Sequence, residues 1–98
     1  MARIELAAAI GEDFERIVEH LLRHEVADPA GRLEEILESI DVLKPSPLIG
    51  RLLDGGSREL IIGRASRGYV ALYRYVVESN IVLVLAICSQ REAGYSGG

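Results

Sequence analysis

Three arginines and a tyrosine in the second half of this chain are the side chains best placed to do chemistry. Arg74 interrupts an otherwise apolar run, between Tyr73 and Tyr75; Arg58 heads a strand-like segment; Arg91 and Tyr95 lie in the polar tail. A guanidinium at mid-strand must reach solvent, pair with a carboxylate or hold a ligand, because burying it unpaired costs several kcal/mol. An internal ion pair with Glu59 or Glu78 would satisfy Arg74. Alternatively, Arg58 and Arg74 share one sheet face and act together. A Gly/Ser-rich tail is normally loose, so Arg91 to Tyr95 reads as sheet-edge packing or as a contact surface.

Other reactive constellations are missing or weak. His20 and His24 have the i,i+4 spacing that can hold zinc on a helix, but no HExxH pattern or third ligand accompanies them. The serines lie in loops without a G-x-S-x-G elbow. Cys88 sits in the most apolar segment, where a thiolate is disfavoured and a small buried hydrophobe is the natural reading. Gly55-Gly56, Gly63 and Gly68 are turn glycines and do not form a phosphate loop. No metal or cofactor is expected.

The elements that must position these residues follow from periodicity. Arg3 to Ala8 alternates as a short strand with Ile4, Leu6 and Ala8 on one face. Ile10, Phe14, Ile17, Val18, Leu21 and Leu22 form one stripe at helical period, supported by i,i+4 pairs Glu12–Arg16 and Glu19–Arg23. Asp28-Pro29 predicts the start of a second helix, with Asp as N-cap and Pro at the first helical position. Leu33, Ile36, Leu37, Ile40 and Leu43 make its stripe, and Pro45 and Pro47 forbid continuation. The short connection predicts an antiparallel helical hairpin.

Lys44 to Ser57 reads as a loop. Strands follow at Arg58 to Ile62, Tyr69 to Val77 and Ile81 to Cys88, with a tight turn at Glu78-Ser79-Asn80. The last strand is apolar throughout, which predicts a central position covered on both faces, with the first strand on its free side. The predicted fold is α+β in the order β-α-α-β-β-β: an antiparallel sheet with a helical hairpin packed on one face.

Size and composition bound the reading. At 98 residues the chain is expected to form one domain, 1–98. With 49% hydrophobic residues but few aromatics, Leu, Ile, Val and Ala must build the core, and leftover apolar surface would suit a partner chain. The single cysteine excludes an internal disulfide and fits a reducing compartment. No apolar run is long enough to span a membrane, and the N-terminus does not resemble a signal peptide, so a cytoplasmic location is expected. Residues 1–43 hold eleven acidic against four basic residues (−7); residues 44–98 hold four against seven (+3). Such asymmetry fits two faces with different partners, or simply Glu-rich helices.

Taken in register, these features resemble the RelE/ParE superfamily of bacterial toxins. The helix pattern Asp13-Phe14-x-x-Ile17 follows an opening strand. Pro47-Leu48-Ile49-Gly50-Arg51 resembles the family's "P…GR" segment, and Arg58-Glu59-Leu60 its "R-E-L" strand start. Tyr69…Tyr73-Arg74-Tyr75 resembles its "Y…Y-R" strand, and an apolar last strand leads into Gln90-Arg91-Glu92-Ala93-Gly94-Tyr95. The resemblance implies a type II toxin neutralised by a cognate antitoxin, whose otherwise disordered segment folds across the toxin on binding. Ile17, Leu21, Ile36 and Ile40 on the helices, with Tyr73 and Tyr75, are the candidate antitoxin contacts.

Members resembling RelE cut mRNA on the ribosome with lysines and arginines. Their two strand lysines and the arginine after Gly-Tyr correspond here to Ile61, Gly63 and Val70, and only Arg91 stands where a tail arginine would. This departure, and the acidic net charge of −4, favour the ParE-like branch, which poisons DNA gyrase by binding and not by catalysis of its own. Arg58, Arg74, Arg91 and Tyr95 are then candidate target contacts. The resemblance implies an antitoxin and gyrase as partners, with no membrane contact and no specific DNA binding by the toxin alone. A RelE-type ribosome-dependent endoribonuclease and a non-toxic antitoxin-binding module are the alternatives.

Overall fold

A computed structural model describes residues 1–25, 27–63 and 68–90. The described elements run β1 (Arg3–Leu6), α1 (Ile10–Arg23), α2 (Pro29–Ile40), β2 (Arg51–Leu52), β3 (Arg58–Ile62), β4 (Tyr69–Val76) and β5 (Ile81–Ser89). They form one five-stranded sheet in the order β1-β5-β4-β3-β2. The three pairings among β2, β3, β4 and β5 are antiparallel, and β1 joins β5 in parallel. The sheet is therefore mixed: after the helices the chain enters β2 at the edge opposite β1, and the meander β2–β5 works back across the sheet so that the last strand meets the first running the same way. β5 is an interior strand between β1 and β4, as its unbroken apolar run predicts.

Local chemistry explains the helix ends. Asp28 takes a left-handed conformation (φ 54°), and its side chain accepts the Gly31 N–H at 3.1 Å, with Pro29 at the first helical position. In α1, Glu19 pairs with Arg23 as expected, whereas Arg16 pairs with Asp13 in place of the expected Glu12. Both helices lie over the same sheet face. Ile10, Ile17, Leu21, Ile36 and Ile40 meet Ile62, Tyr69, Ala71, Tyr73, Val82, Val84 and Ile87 in one core. Phe14 is only half-buried and Leu22 is 62% exposed, so the stripe on α1 is wider than the face the sheet covers.

β5 departs from the expectation of two covered faces. Val82, Val84 and Ile87 are buried beneath the helices, whereas Leu83, Leu85, Ala86 and Cys88 are half-buried. The register shifts at Leu72/Tyr73, whose partners are Ala86 and Val84, so Leu85 is an extra residue in β5. Beyond this bulge β1 has ended, and α1 takes over its role at the strand edge. Asp13 Oδ2 accepts the Ile87 N–H at 3.0 Å, and Arg16 donates to the Ile87 carbonyl at 3.3 Å. Two helix side chains thus supply the pair of hydrogen bonds a neighbouring strand would have made.

Candidate functional site

The sheet face opposite the helices is the surface to which the candidate target residues belong. Directly paired residues share a face, and neighbours along a strand alternate. The register therefore lays four rows across this face, on which Val70 (4% exposed) and Glu59 are buried while Ile61 (48%) and Arg74 are exposed. Ile61, Val70 and Cys88 form the first; Arg51, Glu59, Leu72 and Ala86 the second; Arg74, Leu83 and Glu5 the third; Val76, Ile81 and Arg3 the last. Its middle is apolar. Most of its charges cancel in pairs: Arg51 Nε donates to Glu59 Oε1 at 2.7 Å, and Arg3 pairs with Glu5 at 3.1 Å. Glu59, buried to 8% exposure, is tolerated because Arg51 stands opposite it.

Arg74 reaches neither Glu59 nor Glu78. Its guanidinium donates to the Gly55 carbonyl at 2.8 Å, on the turn between β2 and β3, where Gly55 and Gly56 hold φ of 92° and 91°. That backbone suits glycine alone, and it brings a carbonyl up to an exposed arginine without placing a carboxylate beside it.

Arg58 points to the other face. It pairs with Tyr73 across β3 and β4, so Arg58 and Arg74 project from opposite sides of the sheet. Arg58 donates to the carbonyls of Leu48 (3.1 Å) and Gly50 (2.8 Å). The fully buried Tyr73 hydroxyl donates to the Pro47 carbonyl at 2.8 Å and accepts the Gly50 N–H at 2.9 Å. Burial pushes the Tyr73 pKa above 10.0, partly offset by the Gly50 hydrogen bond and the charge of Arg58. Gly50 is required here: a β-carbon on it would lie 2.6 Å from the Tyr73 ring and 2.8 Å from the Glu59 carbonyl. Tyr73 and Arg58 together clamp the Pro47–Gly50 loop. The clamp holds Leu48 and Ile49 in solvent at 57% and 59% exposure, next to Leu52 at 59%.

These positions revise several expectations. Arg58 and Arg74 do not converge, because consecutive register positions place them on opposite faces. Ile17, Leu21, Ile36, Ile40 and Tyr73 are core residues of the chain itself, none more than 4% exposed, and are closed to a docking partner on the folded protein. The reason is geometric: a helical stripe that faces its own sheet has no surface left to offer. Tyr75 is half-buried, and its hydroxyl is 2.6 Å from Asn80 Oδ1. Arg91 and Tyr95 lie outside the described residues. His20 and His24 stack edge to face at 4.3 Å on the exposed side of α1. Among the described residues no group of three His, Cys, Asp or Glu side chains could hold a metal ion. Nor is any described helix long and apolar enough to cross a membrane. The Arg51–Glu59 pair and the clamped loop were not expected from the sequence. The one available signal was Pro47…Gly50-Arg51, whose glycine marks a close approach.

Comparison with known proteins places this architecture. The family model for the ParE toxin of the type II toxin–antitoxin system parDE matches residues 4–94. The chain belongs to that family. Among solved structures it is similar to a chain of the intact E. coli RelBE toxin–antitoxin complex, with a TM-score of 0.63 and 14% identity, over 91% of this chain and 96% of that one. It is likewise similar to a chain of the chromosomal ParDE system from P. aeruginosa, with a TM-score of 0.62 and 19% identity, over 91% and 96%. At these identities the likeness is one of fold. No curated protein gives a significant sequence match. As a ParE-family toxin, the chain offers its open sheet face and its clamped loop as the two surfaces to be explained.

Proposed function

We propose that this ParE-family toxin acts by binding DNA gyrase, performs no catalysis of its own, and is held inactive by a cognate antitoxin. The chemistry of the open sheet face carries this reading. Ile61 and Val70 stand opposite one another there, with Gly63 two residues beyond Ile61. These are the positions where RelE-like members would carry lysines and an arginine. RNA cleavage needs groups that stabilise charge on a phosphate and move protons. An apolar row does neither. With Arg51 and Arg3 engaged by carboxylates, Arg74 is the remaining cation of that face among the described residues. An apolar surface with one arginine suits a protein partner, since aromatic, Met and Arg side chains dominate interface energetics.

The target contacts in this reading are Arg74 from the open face and Arg91 and Tyr95 from the tail, with Arg58 acting indirectly through the loop it holds. Pulse labelling after induction of this gene alone tests the proposal. DNA synthesis falling before protein synthesis is the expected result, and protein synthesis collapsing within minutes while DNA synthesis continues refutes it. Arg91→Ala combined with Tyr95→Ala should abolish toxicity while leaving the folded protein intact.

A further inference from the structure

Arg74 carries a charge that no carboxylate of the described chain neutralises. Its guanidinium is hydrogen-bonded to a neutral acceptor, the Gly55 carbonyl, and forms no ion pair among the described residues. Glu59 and Glu5, the carboxylates of the same sheet face, are taken by Arg51 and Arg3. Asp54, on the turn that Arg74 reaches, makes no ion pair among the described residues either.

That turn is fitted to the arginine. Leu53 N–H donates to the Ser57 carbonyl at 2.8 Å and Gly56 N–H to the Leu53 carbonyl at 3.3 Å, which closes the turn on itself. The positive φ of Gly55 and Gly56 brings the Gly55 carbonyl to Arg74 Nη2. A β-carbon on Gly56 would stand 3.2 Å from Arg74 Nη1, tighter than ordinary van der Waals contact. The guanidinium is thus tied through one nitrogen and lies against bare backbone at the other. Its remaining N–H groups meet no partner among the described residues. Around it the same face is apolar: Leu72 and Val76 flank it along β4, and Leu83 stands opposite on β5, all half-buried. An arginine ringed by apolar side chains is the composition of an interface hot spot.

We propose that Arg74 is a carboxylate-binding arginine: the target presents an Asp or Glu side chain to the guanidinium, set in an apolar surface that meets Leu72, Val76 and Leu83. The Gly55–Gly56 turn is the positioning device that holds the guanidinium before binding. This assignment rests on the reading above that the toxin acts by binding gyrase. A guanidinium offers two parallel N–H groups to the two oxygens of a carboxylate, which an ammonium does not. Holding the side chain in advance lowers the ordering cost of association. The net charge of −4 disfavours a nucleic-acid phosphate as the anion.

The test measures binding of the full chain to purified gyrase free of DNA. Arg74→Lys keeps the charge and loses the fork; it should raise the dissociation constant about tenfold or more, and Arg74→Ala no less. Gly56→Ala should raise it about threefold or more in the parent and leave it unchanged in the Arg74→Ala background. A merely destabilised turn would not produce that coupling. Urea titration of each variant establishes that it is folded under the assay conditions, and Arg74→Lys, at an exposed position, decides the proposal even where Gly56→Ala disrupts the turn. Arg74→Lys binding as tightly as the parent, or an effect of Arg74 that requires DNA, overturns the carboxylate assignment and leaves the gyrase reading standing. Equal losses from Gly56→Ala in both backgrounds overturn the positioning role. A parent chain that does not bind gyrase at all overturns both readings.

Discussion

Tyr73→Phe removes one oxygen atom and tests whether the loop that precedes β2 is held from the core. The hydroxyl makes two hydrogen bonds, to the Pro47 carbonyl at 2.8 Å and from the Gly50 N–H at 2.9 Å, in a site with no water-facing surface. A hydrogen bond contributes about 1 kcal/mol net, and a buried group left without its partner costs about 1–3 kcal/mol. Phenylalanine fills the same ring volume, so no cavity cost adds to this. The expected loss is about 2 kcal/mol. For a domain of this size each kcal/mol lowers Tm by about 4–8 °C, so the variant should melt about 8–16 °C lower. Urea titration gives the same quantity at constant temperature, and the slope with denaturant should not change.

The substitution also carries a pH signature. The folded-state pKa of Tyr73 is raised above 10.0 by burial, so the unfolded chain releases this proton first. The stability due to the neutral hydroxyl is complete below pH 10 and is lost as the pH rises through the folded pKa. Tyr73→Phe should lack that portion of the alkaline decline. A variant within about 0.5 kcal/mol of the parent, the scale of the extrapolation error, would refute the clamp.

Gly50→Ala places a β-carbon 2.6 Å from the Tyr73 ring. It should destabilise by about 1–3 kcal/mol through overpacking, measured by the same urea titration. Asp13→Ala frees the Ile87 N–H that the carboxylate accepts at 3.0 Å. A loss of about 1–3 kcal/mol is expected, together with faster exchange of the Ile87 amide; unchanged protection there would show that α1 does not cap the edge of β5. Arg74→Ala should change stability by no more than about 0.5 kcal/mol, as for other exposed surface positions. It should nevertheless weaken inhibition of the target, read as the concentration of protein needed to stop supercoiling.

Much of this fold could be read from the chain because its periodic signals are long and agree with one another. The i,i+3,i+4 stripes fix both helices, the Asp28-Pro29 start is a local chemical event, and the alternation from Tyr69 to Val77 fixes the face of every residue in β4. β2 was hidden in a loop because two residues carry no period. The parallel pairing of β1 depends on where the hairpin returns the chain, which no local pattern encodes. The site was less legible for a related reason. Consecutive residues Tyr73 and Arg74 belong to opposite faces, yet whether Arg58 aligns with one or the other depends on the register between strands. Apolar stripes on the helices look in sequence like surface for a partner, whereas the sheet of the same chain claims them first. Gly50 gave a real signal, a glycine where a ring approaches the backbone, but its partner Tyr73 lies twenty-three residues away.

The most direct measurement is a DNA supercoiling assay with purified gyrase and this chain, run beside a ribosome programmed with mRNA. Supercoiling that stops in proportion to added protein, with the mRNA intact, is the result predicted for a toxin whose open face binds and does not cleave. Undisturbed supercoiling with mRNA cut on the ribosome would contradict it, and would mean that Arg74 and the tail suffice for RNA cleavage despite the apolar row.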